Sequence, residues 1–507
     1  MKHIKFIAII SLISTLSACT DWLSIEPEGK IVAGDYWKLE SDVEAVVATC
    51  YRSMIENDVI SRMIVYGELR SDNVIGGYGL SENLKKIIEA NIQPTNPYAS
   101  WSAFYKTINY CNIVMHYAPT VIDPNFSQSK LNAKLAEVMT IRALSYFYLV
   151  RAFGEVPFVT DASISDTQDY SIPKSSEDVI LDYLEADLIK AEVWAMSAYG
   201  KANANKGRIT KNAIRALLAD IYLWRNKYDD CISVINRVLD DPLLKMIEPD
   251  DEPYSKIFGL KNSTESIFEL QFSTNNYTYN NTINSFYGTK ENPAGQLVVP
   301  EFITIDNDVF TNTPEIIDVR RKDFIAPKTT NNVYPIFKYP GMIRTENSAG
   351  TSFYTYRTAQ IQPANWIVYR LTDVMLMKAE ALVQKEKFGE ALKIVNTTYL
   401  RSNPTLTDTL AIENYNDKDK MEKLVLLERQ RELMFEGKRW FDLMRMARRD
   451  GKTNRLVETI IRKLTENQSV VSSKMKVMDA LYFPIHEDEL SANGKLTQNP
   501  YYESKYK

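Results

Sequence analysis

The sequence predicts an all-α protein, a scaffold of tetratricopeptide-like helical hairpins that carries one long, irregular, loop-rich insertion. Three observations lead there. Apolar residues recur at helical spacing wherever a pattern is clear, as in Val43, Val46, Val47, Tyr51, Met54 and Ile55, the stripe of an amphipathic helix. Two segments, 211–242 and 366–401, place small and aromatic residues at offsets that let paired helices cross closely. Between them, residues 243–365 are rich in Asn, Thr, Tyr, Pro and Gly, a composition that breaks helical periodicity.

The chain begins with an address. Lys2 and Lys5 precede an apolar run over residues 7–16, which is too short to span a bilayer and ends in Leu16-Ser17-Ala18-Cys19. That tetrapeptide resembles the lipobox of bacterial lipoproteins. Residues 1–18 therefore read as a leader that is removed, and Cys19 as a lipidated N-terminus. One acyl chain binds membranes marginally, whereas several anchor stably, at roughly 0.8 kcal/mol per buried CH₂. Residues 19–40 read as the lipidated tether, with Pro27, Gly29 and Gly34 interrupting regular structure. Residues 41–242 form an N-terminal helical part. Helical stripes cover 41–57, 100–117, 128–152 and 178–196, the last preceded by Ser175 and Ser176 as cap candidates.

In the first hairpin Ala219, Tyr222, Tyr228, Leu239 and Pro242 fall near the repeat's spacings, and Cys231 takes the small-residue place in the second helix. In the second, Ala379, Leu382, Phe388 and Ala391 occupy the matching offsets. Each turns on a polar triplet, Arg225-Asn226-Lys227 and Lys385-Glu386-Lys387. The repeats are not adjacent along the chain, so a scaffold with an insertion is expected in place of a simple solenoid. Within the insertion, residues 267–272 read as a short strand, and 273–295 and 326–365 as loops. Residues 366–507 close the chain with helical hairpins and a tail, in what reads as one compact domain.

Composition excludes several functions. A net charge of -5, with no run of Lys and Arg that would reverse it locally, argues against nucleic acid as a partner. Of 3 histidines one lies in the leader, and His116 and His486 are far apart, so no metal site, cofactor or histidine-based catalysis is expected. Cys50, Cys111 and Cys231 have no C-x-x-C spacing and read as small apolar residues on helix faces. Neither a G-x-S-x-G nor an H-E-x-x-H pattern occurs. The charged run at 428–442 (Glu428, Arg429, Arg431, Glu432, Glu436, Arg439, Asp442) invites comparison with glycosidase carboxylates. Its offsets are those of helix neighbours, so it reads as an ion network. Asp318 and Arg320 read in the same way. No catalytic residue is assigned.

Ligand contact is sought where aromatic rings and planar polar groups share a loop, because sugars lay C–H faces on rings while their hydroxyls bond amides and carboxylates. Three places qualify: Arg70, Asp72 and Asn73 with Tyr78; Asn96, Tyr98 and Trp101; and Asn276, Tyr277 and Tyr279, with Asn275, Asn280 and Tyr287 nearby. Residues 353–357 (FYTYR) are a weaker fourth. Trp101 also continues into a stripe with Phe104 and Tyr105, and Trp366 opens the second hairpin, so both fit a core as well.

Several motifs resemble one family, the SusD/RagB nutrient-binding outer-membrane lipoproteins. They are Cys19-Thr20-Asp21-Trp22-Leu23 followed by Pro27; the long helical run from Glu137 to Phe153 closing on Gly154-Glu155-Val156-Pro157; and Tyr369-Arg370-Leu371-Thr372-Asp373-Val374 with Met377-Lys378-Ala379-Glu380-Ala381. Glu428-Arg429-Gln430-Arg431-Glu432-Leu433 with Glu436-Gly437-Lys438-Arg439-Trp440-Phe441-Asp442-Leu443, then Phe483-Pro484-Ile485-His486 and Gln498-Asn499-Pro500, complete the series. They run in the family's order, and His486 departs from it where a second proline is commoner. The resemblance implies a SusD-like helical fold with tetratricopeptide-like hairpins. It implies a lipid-anchored protein on the extracellular face of an outer membrane, partnered by a SusC-like TonB-dependent transporter. It implies capture of a glycan without chemistry or, in the RagB branch, of oligopeptides.

Overall fold

The computed structural model describes residues 36–503, apart from 166, 250–251, 290–294, 306–308, 311–312, 314–315, 347–351 and 358–362. The expected leader, Cys19 and most of the expected tether lie outside the described residues.

The first stripe folds as expected. Helix α1 (Glu40–Met54) buries Val43, Val47, Cys50 and Met54 along one face. Helix α2 (Asn57–Ile64) runs into a π-turn, Val65–Leu69. There the backbone meets the C-terminal part so closely that a Cβ on Gly67 would lie 1.9 Å from the Gly437 carbonyl oxygen, so only glycine fits. Strand β1 (Ile75–Gly76) and helix α3 (Glu82–Ile88) follow, the helix capped by Ser81. Helix α4 (Ser102–Tyr117) leads to the long helix α5 (Gln128–Phe153), which starts on Ser127 as cap and stops at Gly154, where φ is 76°. Strands β2 (Val156–Pro157) and β3 (Lys174–Ser175) pair antiparallel. They feed helix α6 (Glu177–Trp194), whose cap is Ser176. The first hairpin is α7 (Lys211–Trp224) and α8 (Tyr228–Leu239).

The insertion holds more regular structure than its composition suggests. Strand β4 (Ser266–Leu270) matches the expected strand. The stretch 273–295, expected to be loop, contains helix α9 (Asn281–Tyr287). Its signal is short: Asn280 caps it, and Ile283, Phe286 and Tyr287 bury at helical spacing amid polar neighbours. Strand β5 (Leu297–Val299) joins β1 to β6 (Tyr334–Pro335). Within 326–365, also expected to be loop, β7 (Met342–Glu346) pairs with β8 (Ser352–Tyr356). The chain returns through β9 (Trp366–Arg370), antiparallel to β4, with Leu270 opposite Trp366. Then come α10 (Leu371–Gln384), α11 (Phe388–Ser402), α12 (Lys418–Leu433), α13 (Arg439–Asp450) and α14 (Asn454–Ile461).

The helices pack as a continuous stack. α1 lies on α4, α4 on α5, α5 on α6, α6 on α7 and α7 on α8, and α8 meets α10, which packs on α11 and α12. The two hairpins, separated along the chain, are therefore neighbours in space. The β4–β9 ribbon allows this, because the insertion leaves and rejoins the stack at one place. Both hairpins turn alike. The N–H of Lys227 donates to Tyr222 and that of Lys387 to Leu382, with Asn226 and Glu386 both left-handed at φ 58° and 57°.

The charged run at 428–442 is a buried lattice. Arg370 donates to Glu432 (2.7 Å) and Glu436 (2.7 Å), and Arg320 to Asp318 (2.7 Å) and Glu428 (2.8 Å). Arg429 pairs with Asp442 (2.9 Å), and Arg445 with Glu380 (2.5 Å). Burial pushes the Glu432 carboxyl up, but Arg401, Arg370 and Arg320 together hold it well below the usual carboxylate range. These carboxylates are saturated by guanidinium groups and sealed from solvent, which is a structural role. Trp366 is fully buried beside them.

Candidate functional site

The first loop divides in two. Residues 70–73, expected at a ligand site, are buried. The Arg70 guanidinium donates to the carbonyls of Leu481 (2.5 Å) and Ala480 (2.7 Å) and lies 4.3 Å over the Trp440 ring. Asp72 accepts from Arg439 (2.8 Å) and Gln430 (2.9 Å), and Asn73 donates to Glu68 (2.7 Å). This corrects the sequence expectation: the three side chains clamp the N-terminal helices to the C-terminal ones. Only Tyr78 reaches solvent, at 86% exposure. Its loop is anchored by β1 on β5 and by the N–H of Gly77 on the Gln296 carbonyl (2.7 Å).

The second loop is corrected in the same way. Asn96 is buried as the cap of a short turn, accepting from the N–H of Tyr98 and donating to the Asn83 carbonyl (3.0 Å). Trp101 is buried against Phe153, ring centroids 5.4 Å apart. Tyr98 alone stays partly exposed. Arg62 lies 5.9 Å from its ring and donates to the carbonyls of Pro97 (2.8 Å) and Ser100 (2.9 Å).

The third loop remains at the surface. Ser273 bridges to Thr278, and Asn275 and Asn276 are exposed. Tyr277 is 79% exposed and sits in the left-handed region, φ 53°. For a bulky side chain that conformation costs of order 1–2 kcal/mol, and such strain concentrates at working surfaces. Tyr279 is half-buried. Asn280 is buried, capping α9 and donating to the Ala364 carbonyl (2.9 Å), and Tyr287 is in the core. Of residues 353–357, Arg357 is buried, donating to the carbonyls of Phe258 and Gly259. The side chains of 353–356 lie outside the described residues.

Contacts join the three loops. Gln296 accepts from the N–H of Ser81 (3.3 Å) and donates to Ser285 of α9 (2.9 Å). Thr282 of α9 donates to the Asn57 carboxamide on α2 (3.1 Å), and α2 carries Arg62, the support of Tyr98. These bonds tie the segment after Tyr78, α9 and the helix that supports Tyr98 into one connected set of surface segments. It bears four tyrosines and the polar groups of Asn57, Asn275, Asn276, Asn281, Ser285 and Gln296. Asn57, Ser285 and Gln296 have no sequence signal of their own, because only the fold bonds them between these segments. Rings with amides and hydroxyls can hold a polyhydroxylated or peptide chain. Among the described residues, no group of three or more His, Cys, Asp and Glu is placed to hold a metal ion, and no helix is long and apolar enough to cross a membrane.

Residues 271–502 match the SusD family, and residues 21–223 match a family described as starch-binding and associating with the outer membrane. A SusD-like protein of Formosa agariphila is 25% identical over 98% of this chain and 98% of its own. Another from the same organism is 26% identical over 88% and 91%. A SusD superfamily protein of Bacteroides vulgatus superposes with a TM-score of 0.75 at 21% identity, covering 92% of this chain and 100% of its own. One from Bacteroides thetaiotaomicron superposes at 0.72 with 20% identity, covering 91% and 99%.

Proposed function

The chain belongs to the SusD family, and from that premise we propose that it is a lipid-anchored protein of the extracellular face of an outer membrane, which captures oligosaccharide or polysaccharide and delivers it, unchanged, to a SusC-type TonB-dependent transporter. One observation carries the reading: Tyr78 and Tyr277 are the most exposed rings of the candidate loops, and the exposed residues Asn57, Asn275, Asn276, Asn281 and Ser285 of the connected segments offer amides and a hydroxyl. Stacking on such rings with hydrogen bonds from amides retains a sugar without activating water at its glycosidic bond. An open surface buries little of a long polymer, so affinity is modest.

The test is calorimetry of the mature chain against a panel of polysaccharides and a protein digest. One glycan class binds without release of product, and Tyr78→Ala with Tyr277→Ala weakens it about ten-fold or more, the worth of one to two ring contacts. The melting temperature stays within ~2 °C, as for exposed residues. Binding to the digest alone would replace the glycan by an oligopeptide. Release of shortened sugars would overturn capture without catalysis.

A further inference from the structure

A concave site with a lining of its own lies between α4, the loop joining β2 to β3, and the short helix Glu487–Ala492. The cleft holds about 470 Å³, inside the ~300–1,000 Å³ range of small-molecule sites. None of Tyr78, Tyr98, Tyr277 and Tyr279 lines it.

Its walls are aromatic. Trp101 and Tyr105 line it with ring centroids 5.8 Å apart at 62°. The Tyr105 hydroxyl is tied to the Pro157 carbonyl. Tyr170, 53% exposed, supplies the outer wall and is held by its hydroxyl on the Ser165 carbonyl (2.7 Å).

Its polar groups fall into two kinds. Asn112 is fully engaged, donating to the carbonyls of Val159 and Asp161 and accepting from Arg142. Asn109 is half engaged: its carbonyl accepts from the N–H of Ser163 (2.8 Å), and among the described residues its two amide hydrogens have no partner. Glu489 accepts one bond, from the Ser100 hydroxyl (3.2 Å), and among the described residues no cation pairs with it. Rings with one open donor group and one open carboxylate suit a molecule with an apolar face and neighbouring hydroxyls. The hydroxyls donate to the carboxylate and accept from the amide while the C–H face lies on a ring. A free dipeptide fits less well. Its ammonium would meet Glu489, but Lys106, which lines the cleft, is already paired with Glu56 (2.8 Å), so its carboxylate finds no open cation there.

We propose that this cleft is a second saccharide site, of disaccharide size, that takes a neutral sugar between Tyr105 and Tyr170, above the floor formed by the buried Trp101, with Asn109 and Glu489 as its hydrogen-bonding ends. The sugar class rests on the saccharide reading of the protein. The site itself rests on the cleft.

The full chain is titrated with maltose, cellobiose, xylobiose and mannobiose, and with the dipeptides Gly-Tyr and Ala-Phe, by calorimetry and tryptophan fluorescence. One disaccharide is expected to bind one-to-one and to shift the tryptophan emission. Ala492→Trp, which fills the cleft from its exposed rim, and Tyr170→Ala, which removes the outer wall without touching the core, each weaken it about ten-fold or more. Tyr78→Ala with Tyr277→Ala leaves it unchanged. Three results overturn the assignment: silence toward every disaccharide, binding of a dipeptide in their place, or disaccharide binding that survives both cleft variants. If it survives them but falls with the tyrosine variants, the capture surface stands and the cleft does not. If disaccharide binding falls with the cleft variants while polymer binding ignores the tyrosine variants, the cleft stands and the capture surface does not.

Discussion

Arg70, Asp72 and Asn73 lie within a few residues of Tyr78, and along the chain they look like one polar and aromatic loop. In the fold they do opposite work. The first three are buried and bonded to residues from the far end of the chain, at 430, 439, 480 and 481, and to Glu68. Tyr78 stands in solvent, as Tyr277 does. A polar side chain is free to meet a ligand only when the protein has not already spent its hydrogen bonds, and whether it has depends on chain segments hundreds of residues away.

That contrast breaks first at Asp72. Asp72→Ala leaves the Arg439 guanidinium, 7% exposed, without its carboxylate, and a buried charge stripped of its partner costs ~3–5 kcal/mol. Chemical denaturation should show that loss, while ligand affinity of the remaining folded protein is unchanged. A selective loss of affinity at full stability would move Asp72 to the binding surface.

A smaller effect separates the two halves by pH. Lys463 sits beneath the clamp, donating to the carbonyls of Leu69 (3.0 Å) and Ser71 (2.5 Å), and burial pulls its ammonium down to about 7. Between that value and the ordinary lysine value of ~10.4, the unfolded chain keeps a proton that the folded chain has released. Stability therefore rises with pH above about 7 and is lost as pH falls back toward 7. The slope from this group is at most ~1.4 kcal/mol per pH unit. Lys338, drawn down to about 8 by burial against the pull of Glu436, adds in the same direction. Melting curves from pH 7 to about 9.5 should flatten in Lys463→Met relative to the wild type. Equal slopes would place the Lys463 ammonium in contact with water.

The smallest effect reverses sign. Tyr277 holds a left-handed backbone, φ 53°, so Tyr277→Gly should raise stability by ~0.5–1 kcal/mol while removing a ring from the capture surface. A variant both more stable and weaker in binding identifies strain kept for function. One that is less stable would mean that the ring is packed.

Much of the scaffold was legible in the sequence. The stripes of α1, α4, α5 and α6, both hairpins and the strand near 267–272 follow from local periodicity and caps, which neighbouring residues decide. The helix Asn281–Tyr287 was hidden because its apolar signal is three residues long. The charged run at 428–442 was readable as an ion network from its helical offsets, and Asp318 with Arg320 as a salt bridge, although that Arg320, Arg370 and Lys338 converge on the run was not. The candidate surface was readable only in part. Tyr78, Tyr98, Tyr277 and Tyr279 keep some exposure, whereas Arg70, Asp72, Asn73, Asn96 and Trp101 proved to be clamp, cap and core.

By itself the sequence determined the helical class, the paired hairpins and the family, because periodicity, spacing and motif order are properties of neighbours along the chain. Tertiary structure alone decided that the two hairpins stack through the β4–β9 ribbon, which polar loop residues are consumed and which stay open, and that a ring-walled cleft forms beside α4. The reason is physical. Burial and hydrogen-bond satisfaction are set by what packs against a group, and for Arg70 that partner lies 410 residues further on.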